Sequence, residues 1–285
     1  MNAPWIVRAK QRVKGEWKKR RLAWVRRWHG FGPDELHRSL TRLGIGAGDV
    51  VLVHSSLDRL EAFNGRITAL LTTLQMAVGS EGLLMMPTLP FAGTAVEWAR
   101  SGVCFDVRTT PSRSGLLTEL FRRSPGVFRS VHPTHAVAIW GARAEAFGRD
   151  HSGCTTPCGA GSPYAKLLEE NGKILFLGAG IEAMTFFHAA EALLESRLPV
   201  SPFTGEHFRL LSRTASGEQV TTVTRLFDPA LSRKRRIDRM VPELKRRGAW
   251  RQVRLGGADL LCLEARAVLA TLTDMALEGK YCYDL

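Results

Sequence analysis

Thr185, His188 and Glu191 set a hydroxyl, an imidazole and a carboxylate at intervals of three residues. On a helix such positions share one face. A carboxylate beside a histidine fixes the ring tautomer and favours the imidazolium that forms on proton uptake, so the pair suits a general base. The same spacing fits a solvated or purely structural pair, and the surrounding elements must decide between the two. Residues 182–191 contain neither Pro nor Gly and read as the opening of a helix. Before them lie an apolar run, residues 173–177, and a glycine turn, Gly178-Ala179-Gly180. Strand, turn and helix in that order put the pair at the carboxyl edge of a sheet, where open α/β sheets hold ligands.

The rest of the chain supplies elements of the same kind. Residues 33–43 carry Pro33 in a first turn and Leu36, Leu40 and Leu43 at helical spacing, closed by Gly44. The run 50–53 predicts a strand buried on both faces, and it ends in His54, Ser55 and Ser56. A helix over 67–78 and a strand over 82–87, ending at Thr88, complete a βαβ unit. Pro111-Ser112-Arg113-Ser114-Gly115 precedes a helix over 116–122, with Ser112 or Ser114 as its N-cap. A helix start beside Arg113 suits phosphate, although serines also cap helices that hold no ligand. His132 lies in the segment before a strand over 136–140, and a helix over 164–170 leads into the strand at 173–177. Beyond Glu195, residues 208–212, 220–224 and 253–263 read as strands of a small antiparallel sheet, and a helix over 265–278 closes the fold. The expectation is an α/β layered fold, with a central mostly parallel sheet flanked by helices plus a smaller antiparallel sheet. Residues 30–285 form one domain behind a basic extension of residues 1–29. A dinucleotide fingerprint at Gly178-Ala179-Gly180 finds no support, because Arg197-Leu198-Pro199 and Pro202 stand where a second strand with a terminal acid is needed.

Composition excludes several classes. With 285 residues, 45% hydrophobic and 24% charged, the chain has the balance of a globular protein. No apolar run reaches the length of a membrane span, and no apolar segment follows the basic start as in a secretory signal. Cys104, Cys154, Cys158, Cys262 and Cys282 are scattered and odd in number, which fits reduced thiols and a cytoplasmic location. Cys154 and Cys158 near His151 lack a second ligand pair, so no metal is expected. The net charge of +13 is concentrated before Trp28, where ten basic residues face Glu16 alone and Trp5, Trp17, Trp24 and Trp28 are interleaved. Such a segment can meet an anionic membrane surface or an acidic carrier protein. Nucleic acid is not expected as a partner, since no module signature accompanies the charge. A solvated helix whose tryptophans pack on the domain explains the segment equally well. A second basic stretch, residues 233–247, reads as an exposed helix with Ile237, Met240 and Leu244 on one side.

Six short motifs together carry a family resemblance. They are Val53-His54-Ser55-Ser56-Leu57, Met86-Pro87-Thr88, Thr110-Pro111-Ser112-Arg113-Ser114-Gly115, Arg129-Ser130-Val131-His132-Pro133, Gly161-Ser162-Pro163 and Thr185-Phe186-Phe187-His188-Ala189-Ala190-Glu191. In this order, over roughly residues 34 to 270, the chain resembles the aminoglycoside 3-N-acetyltransferase family, which includes drug-resistance enzymes and differs in fold from GCN5-type acetyltransferases. The resemblance implies acetyl-CoA as co-substrate and a small-molecule amine as acceptor. It implies His188 as base and Glu191 as its orienter. Thr185, or backbone N–H groups after Gly178 or Ser55, would face the oxyanion. Ser55, Ser56, Thr88, Arg113, Ser114 and Gly115 would lie around CoA, with His54 and His132 in motifs near that site. Met184 stands where the antibiotic-modifying members usually have Asn, Ala160 where they often have Glu, and Phe63-Asn64-Gly65 where they have Gly-Gly. The acceptor is therefore either an aminoglycoside or a less cationic amino sugar or nucleotide-linked amine. The alternative is a catalytically weak member that binds CoA or a partner, against which stands the intact His188/Glu191 pair.

Overall fold

Four consecutive apolar side chains, Val50 to Val53, are all buried, the signature of a strand covered on both faces. The computed structural model describes Trp17 and residues 20 to 285. In chain order its first half contains α1 (residues 20–29), α2 (Pro33–Arg42), β1 (Val50–Ser55), α3 (Ile67–Val78), β2 (Leu83–Pro87), α4 (Ala95–Arg100), β3 (Phe105–Asp106), α5 (Leu116–Arg122), β4 (Val127–Arg129) and β5 (Val137–Trp140). There follow α6 (Ala144–Gly148), α7 (Pro163–Glu169), β6 (Lys173–Leu177), α8 (Phe186–Leu193), β7 (Phe203–Arg213), β8 (Gln219–Phe227), α9 (Pro229–Arg233), α10 (Val241–Arg246), β9 (Arg251–Leu255), β10 (Ala258–Glu264) and α11 (Ala265–Leu277).

Seven strands form the main sheet in the order β4-β5-β2-β1-β6-β10-β9. The βαβ unit is present: β1 pairs in parallel with β2 and, on its other side, with β6. The expected mostly parallel sheet is mixed, because parallel pairing is confined to these three central strands. On one flank β5 runs antiparallel to β2, and β4 to β5; on the other β10 runs antiparallel to β6, and β9 to β10. The β9–β10 hairpin, expected in the small sheet, extends the main one instead. Its Leu260, Leu261, Cys262 and Leu263 are all buried, so it needs cover on both faces. Gly256 and Gly257, with φ of 58° and 84°, make the two-residue turn that such a hairpin favours. The small sheet contains the long antiparallel pair β7–β8 with the short β3 added parallel to β7.

Alternation along the strands divides the core into two layers. Leu52, Met85, Ile174 and Phe176 join Phe186, Phe187 and Val268 from α8 and α11 on one face. Val51, Val53, Leu84, Leu175 and Leu177 join Leu36, Leu40, Leu70 and Leu74 from α2 and α3 on the other. The basic stretch at 233–247 is not one exposed helix. It breaks into the end of α9, a 3-10 turn at Ile237–Met240 and α10, and Ile237, Met240 and Leu244 are buried. Of the basic N-terminal segment, residues 1–16, 18 and 19 lie outside the described residues. In α1, Leu22 and Val25 are half-buried, whereas Trp17, Trp24 and Trp28 are exposed and do not pack on the domain. Among the described residues no helix is long and apolar enough to cross a membrane.

Candidate active site

Because β1, β2 and β6 run parallel, their carboxyl ends share one edge, where Ser55, Thr88 and Gly178 follow the apolar runs. Gly178 has φ 66°, and a Cβ there would meet Arg59 Cβ at 2.7 Å, so the tight exit from β6 requires glycine. A 3-10 turn, Ile181–Ala183, then leads to α8. Thr185 occupies the N-cap with no side-chain cap bond, and its N–H donates to His54 Nε2 at 3.4 Å.

One turn into α8 the helical spacing brings His188 Nδ1 to 2.7 Å from Glu191 Oε2. The Glu191 side chain is 2% exposed and that of His188 16%, so the carboxylate is sealed and the ring opens outward. Two groups from distant segments complete the surroundings of Glu191. Arg235 Nη2 stands 3.4 Å from Oε1 and 3.5 Å from Oε2, and the Tyr283 hydroxyl donates to Oε1. Phe227, at the end of β8, lies against the His188 ring with centroids 3.9 Å apart, and His135 meets it edge-on at 5.8 Å. No hydrogen bond joins the Thr185 hydroxyl to this pair among the described residues, so the triplet expected from spacing is a pair with Thr185 beside it.

The electrostatics follow from burial and from Arg235. Burial, then the Arg235 charge, holds the His188 ring below its ordinary pKa, against an opposing pull from Glu191. Burial works against ionisation of Glu191, but His188, Arg235 and Tyr283 outweigh it and the carboxyl lies below its ordinary range. Burial and the neighbouring carboxylate push the Tyr283 phenol up, so it remains a donor. His54 is pushed down to about 3 by burial, and His135 lies well below its usual value for the same first reason. At neutral pH the site therefore holds a carboxylate, neutral imidazoles and the Arg235 cation. An ionised Glu191 takes the Nδ1–H of His188 and leaves Nε2 with its lone pair. Nε2 has no hydrogen-bond partner among the described residues.

Of the residues that the resemblance sets around CoA, Ser55 and Ser56 are half-buried at the end of β1, and the Ser56 N–H is occupied by Leu177 O at 2.9 Å. That occupancy removes Ser56 N–H as an oxyanion donor, whereas Ala179 N–H makes no hydrogen bond among the described residues. Thr88 is fully buried; its hydroxyl donates to Ala136 O at 2.9 Å and accepts from Arg129 Nε at 3.0 Å. The buried Arg129 also donates to Val107 O, Thr110 O and Thr88 O, so this pair ties three segments together. The 111–115 segment is anchored beside it: Arg113 N–H donates to Leu89 O at 2.7 Å, and Ser114 Oγ accepts from Leu89 N at 3.1 Å. The Arg113 side chain is left exposed. Gly115, not Ser112 or Ser114, is the N-cap of α5; Ser112 Oγ lies 2.8 Å from Thr118 Oγ1 and accepts the Ser114 N–H, while Ser114 Oγ is taken by the Leu89 N–H. His132 is fully buried, accepting the His135 N–H at Nδ1, meeting the His135 ring edge-on at 6.3 Å and stacking on His151 with centroids 4.5 Å apart. His151 has both nitrogens engaged, with Ser130 Oγ at 2.9 Å and Pro157 O at 2.8 Å. Neither nitrogen is free for a metal alongside Cys154 and Cys158.

Arg235, Tyr283, Phe227 and His135 are the site residues that sequence reasoning missed. Arg235 sits in a basic run that looked solvated; its one signal was the apolar spacing of Ile237, Met240 and Leu244, which shows that the stretch packs. Tyr283 is 92 residues from Glu191, and no local pattern marks it.

Comparison with known proteins follows the same lines. The profile of the aminoglycoside 3-N-acetyltransferase family matches residues 52–276. Aminoglycoside N(3)-acetyltransferase VII of Streptomyces paromomycinus is 35% identical over 174 residues, a stretch that spans 56% of this chain and 60% of that enzyme. Among solved structures, aminoglycoside acetyltransferase AAC(3)-Xa superposes with a TM-score of 0.76 at 25% identity, covering 90% of this chain and 95% of that one. AAC-IIIb in a binary complex with CoASH gives a TM-score of 0.72 at 26% identity, covering 90% and 99%. Motif order, fold and a match across most of the chain agree: this protein belongs to the aminoglycoside 3-N-acetyltransferase family.

Proposed function

We propose that this protein transfers an acetyl group from acetyl-CoA to a substrate amine, with His188 as general base and Glu191 as its orienter. The observation that carries this reading is the 2.7 Å contact between His188 Nδ1 and a buried, ionised Glu191 at the carboxyl edge of the parallel strands. As the amine nitrogen bonds to the thioester carbonyl carbon, His188 Nε2 takes its proton. The C–S bond then breaks, and the imidazolium returns the proton to the departing thiolate. Such assistance contributes typically about 10²–10⁴-fold. Arg235 and Tyr283 hold Glu191 as a carboxylate, which keeps His188 in the Nδ1–H tautomer. The N–H of Ala179, which makes no hydrogen bond among the described residues, is the candidate donor in the turn after β6 for the developing oxyanion. Support for CoA as acetyl carrier comes from the CoASH complex of AAC-IIIb and from the exposed Arg113 and half-buried Ser55, Ser56 and Ser114 along the same edge, with Gly115 next in the chain.

The acceptor, in the same reading, is an amine less cationic than a polycationic aminoglycoside. Glu191, the carboxylate at the base, is already committed to His188, Arg235 and Tyr283. Ala160 is exposed without a charge, and Met184 is buried and apolar. Thiol release from acetyl-CoA tests both parts. His188→Ala is expected to lower turnover by about 10² or more with CoA affinity by calorimetry nearly unchanged. Turnover within a few-fold of the parent refutes the base. Higher kcat/KM for amino sugar nucleotides than for kanamycin-like drugs supports the acceptor class. Efficient drug acetylation with no turnover of the anionic amines overturns it.

A further inference from the structure

Large aromatic side chains left in water call for explanation, since burying each would contribute favourably. Trp17, Trp24 and Trp28 are 72%, 58% and 65% exposed. Trp24 and Trp28 are four residues apart on α1 and share a face, whereas Leu22 and Val25 turn toward the domain and are half-buried. The inward side is fastened by charge: the Arg21 guanidinium pairs with the Glu61 carboxylate, and Arg26 Nε donates to Glu61 O at 3.2 Å. These contacts accompany a helix orientation in which the indoles face outward. Arg20 and Arg27 are exposed beside them, and the Arg27 guanidinium lies 6.0 Å from the Trp28 ring centroid.

We propose that α1 docks this protein on an anionic lipid surface, with the indoles at the headgroup boundary and the arginines on lipid phosphates. Trp is suited to that boundary because one end of the ring system is apolar and its N–H remains wet. Arginine beside it supplies the charge that an anionic leaflet attracts. A bilayer accepts indoles side by side on a convex helix, whereas a folded acidic partner must offer a shaped pocket for each. The contact is in-plane, reversible and weakened by salt, because exposed charges are screened beyond about 10 Å at 0.1 M. Glu61 stands in the loop that leaves the Ser55–Ser56 edge, so docking would bring that edge close to the surface.

The test is sedimentation of the full chain with phosphatidylglycerol/phosphatidylcholine vesicles and with phosphatidylcholine alone. Binding to the anionic vesicles only, release by added salt and quenching of tryptophan emission by brominated lipid are expected. Trp24→Ser with Trp28→Ser should weaken binding about tenfold or more, and Arg20→Gln with Arg27→Gln should reduce it and its salt dependence. All four positions lie outside the acetyl-transfer site, so thiol release and the melting temperature should stay at parental values and report that each variant is folded. No sedimentation with anionic vesicles at low salt overturns the proposal. So does binding that survives loss of both tryptophans, or capture by an acidic protein or a nucleic acid while vesicles remain unbound.

Discussion

Replacing Glu191 by Gln preserves side-chain volume while removing one charge, and the surroundings decide how the amide must turn. At the Oε1 position the Tyr283 hydroxyl and Arg235 both donate, so that position demands an acceptor. The amide oxygen settles there, and the NH₂ group takes the Oε2 position facing His188 Nδ1, where the carboxylate oxygen lies at 2.7 Å. Nδ1 must then accept, the ring proton moves to Nε2, and the lone pair that should receive the amine's proton is gone. The expected cost is the whole general-base contribution, about 10²–10⁴-fold in kcat. At about 1.36 kcal/mol per tenfold, this corresponds to roughly 2.7–5.4 kcal/mol of transition-state stabilisation. Folding stability should change less, because losing bonds to a buried charge is offset by no longer desolvating it. Thiol release at saturating acetyl-CoA gives kcat, and nitrogen chemical shifts of the imidazole report the tautomer. Turnover within about threefold of the parent, or an Nδ1–H ring in the variant, would refute the reasoning.

Burial and Arg235 both favour the neutral His188 ring, so activity should persist to lower pH than the ordinary histidine value of 6.5 and fall as pH drops through the depressed pKa; an acid limb of kcat/KM at or above 6.5 contradicts this. Thr88→Val leaves Arg129 Nε without its acceptor in the core, while Ala136 O keeps the Thr88 N–H at 2.8 Å, and should cost about 1–3 kcal/mol, read as a lower urea midpoint at constant m; an unchanged midpoint means that the hydroxyl is not needed. Arg113→Ala removes an exposed cation beside the loop anchored to Leu89 and should raise the KM for acetyl-CoA more than that for the acceptor; calorimetry showing unchanged CoA affinity would place the phosphates elsewhere.

Local patterns determined a good part of this protein. Val50 to Val53 could be read as a doubly covered strand because the apolar run is short, rich in β-branched residues and preceded by the turn residues Gly48-Asp49. The His188/Glu191 pair could be read because helical periodicity alone sets positions three apart in contact. Tertiary structure decided what periodicity does not encode. The β6 flank of the sheet is antiparallel because the β9–β10 hairpin, with Leu260 to Leu263 buried, joins the open edge of β6, a choice between edges that no local signal records. The small sheet completed itself instead with β3, two residues too short to announce a strand. Ser112 and Ser114 had the composition of caps, yet Thr118 and the Leu89 N–H claimed their hydroxyls and left Gly115 at the cap. Arg235 and Tyr283 reached Glu191 across 44 and 92 residues of chain because a buried carboxylate needs donors from whatever segments pack over it. Spacing in sequence brings together groups on one element, but the charge state of a buried group is set by every element that closes around it.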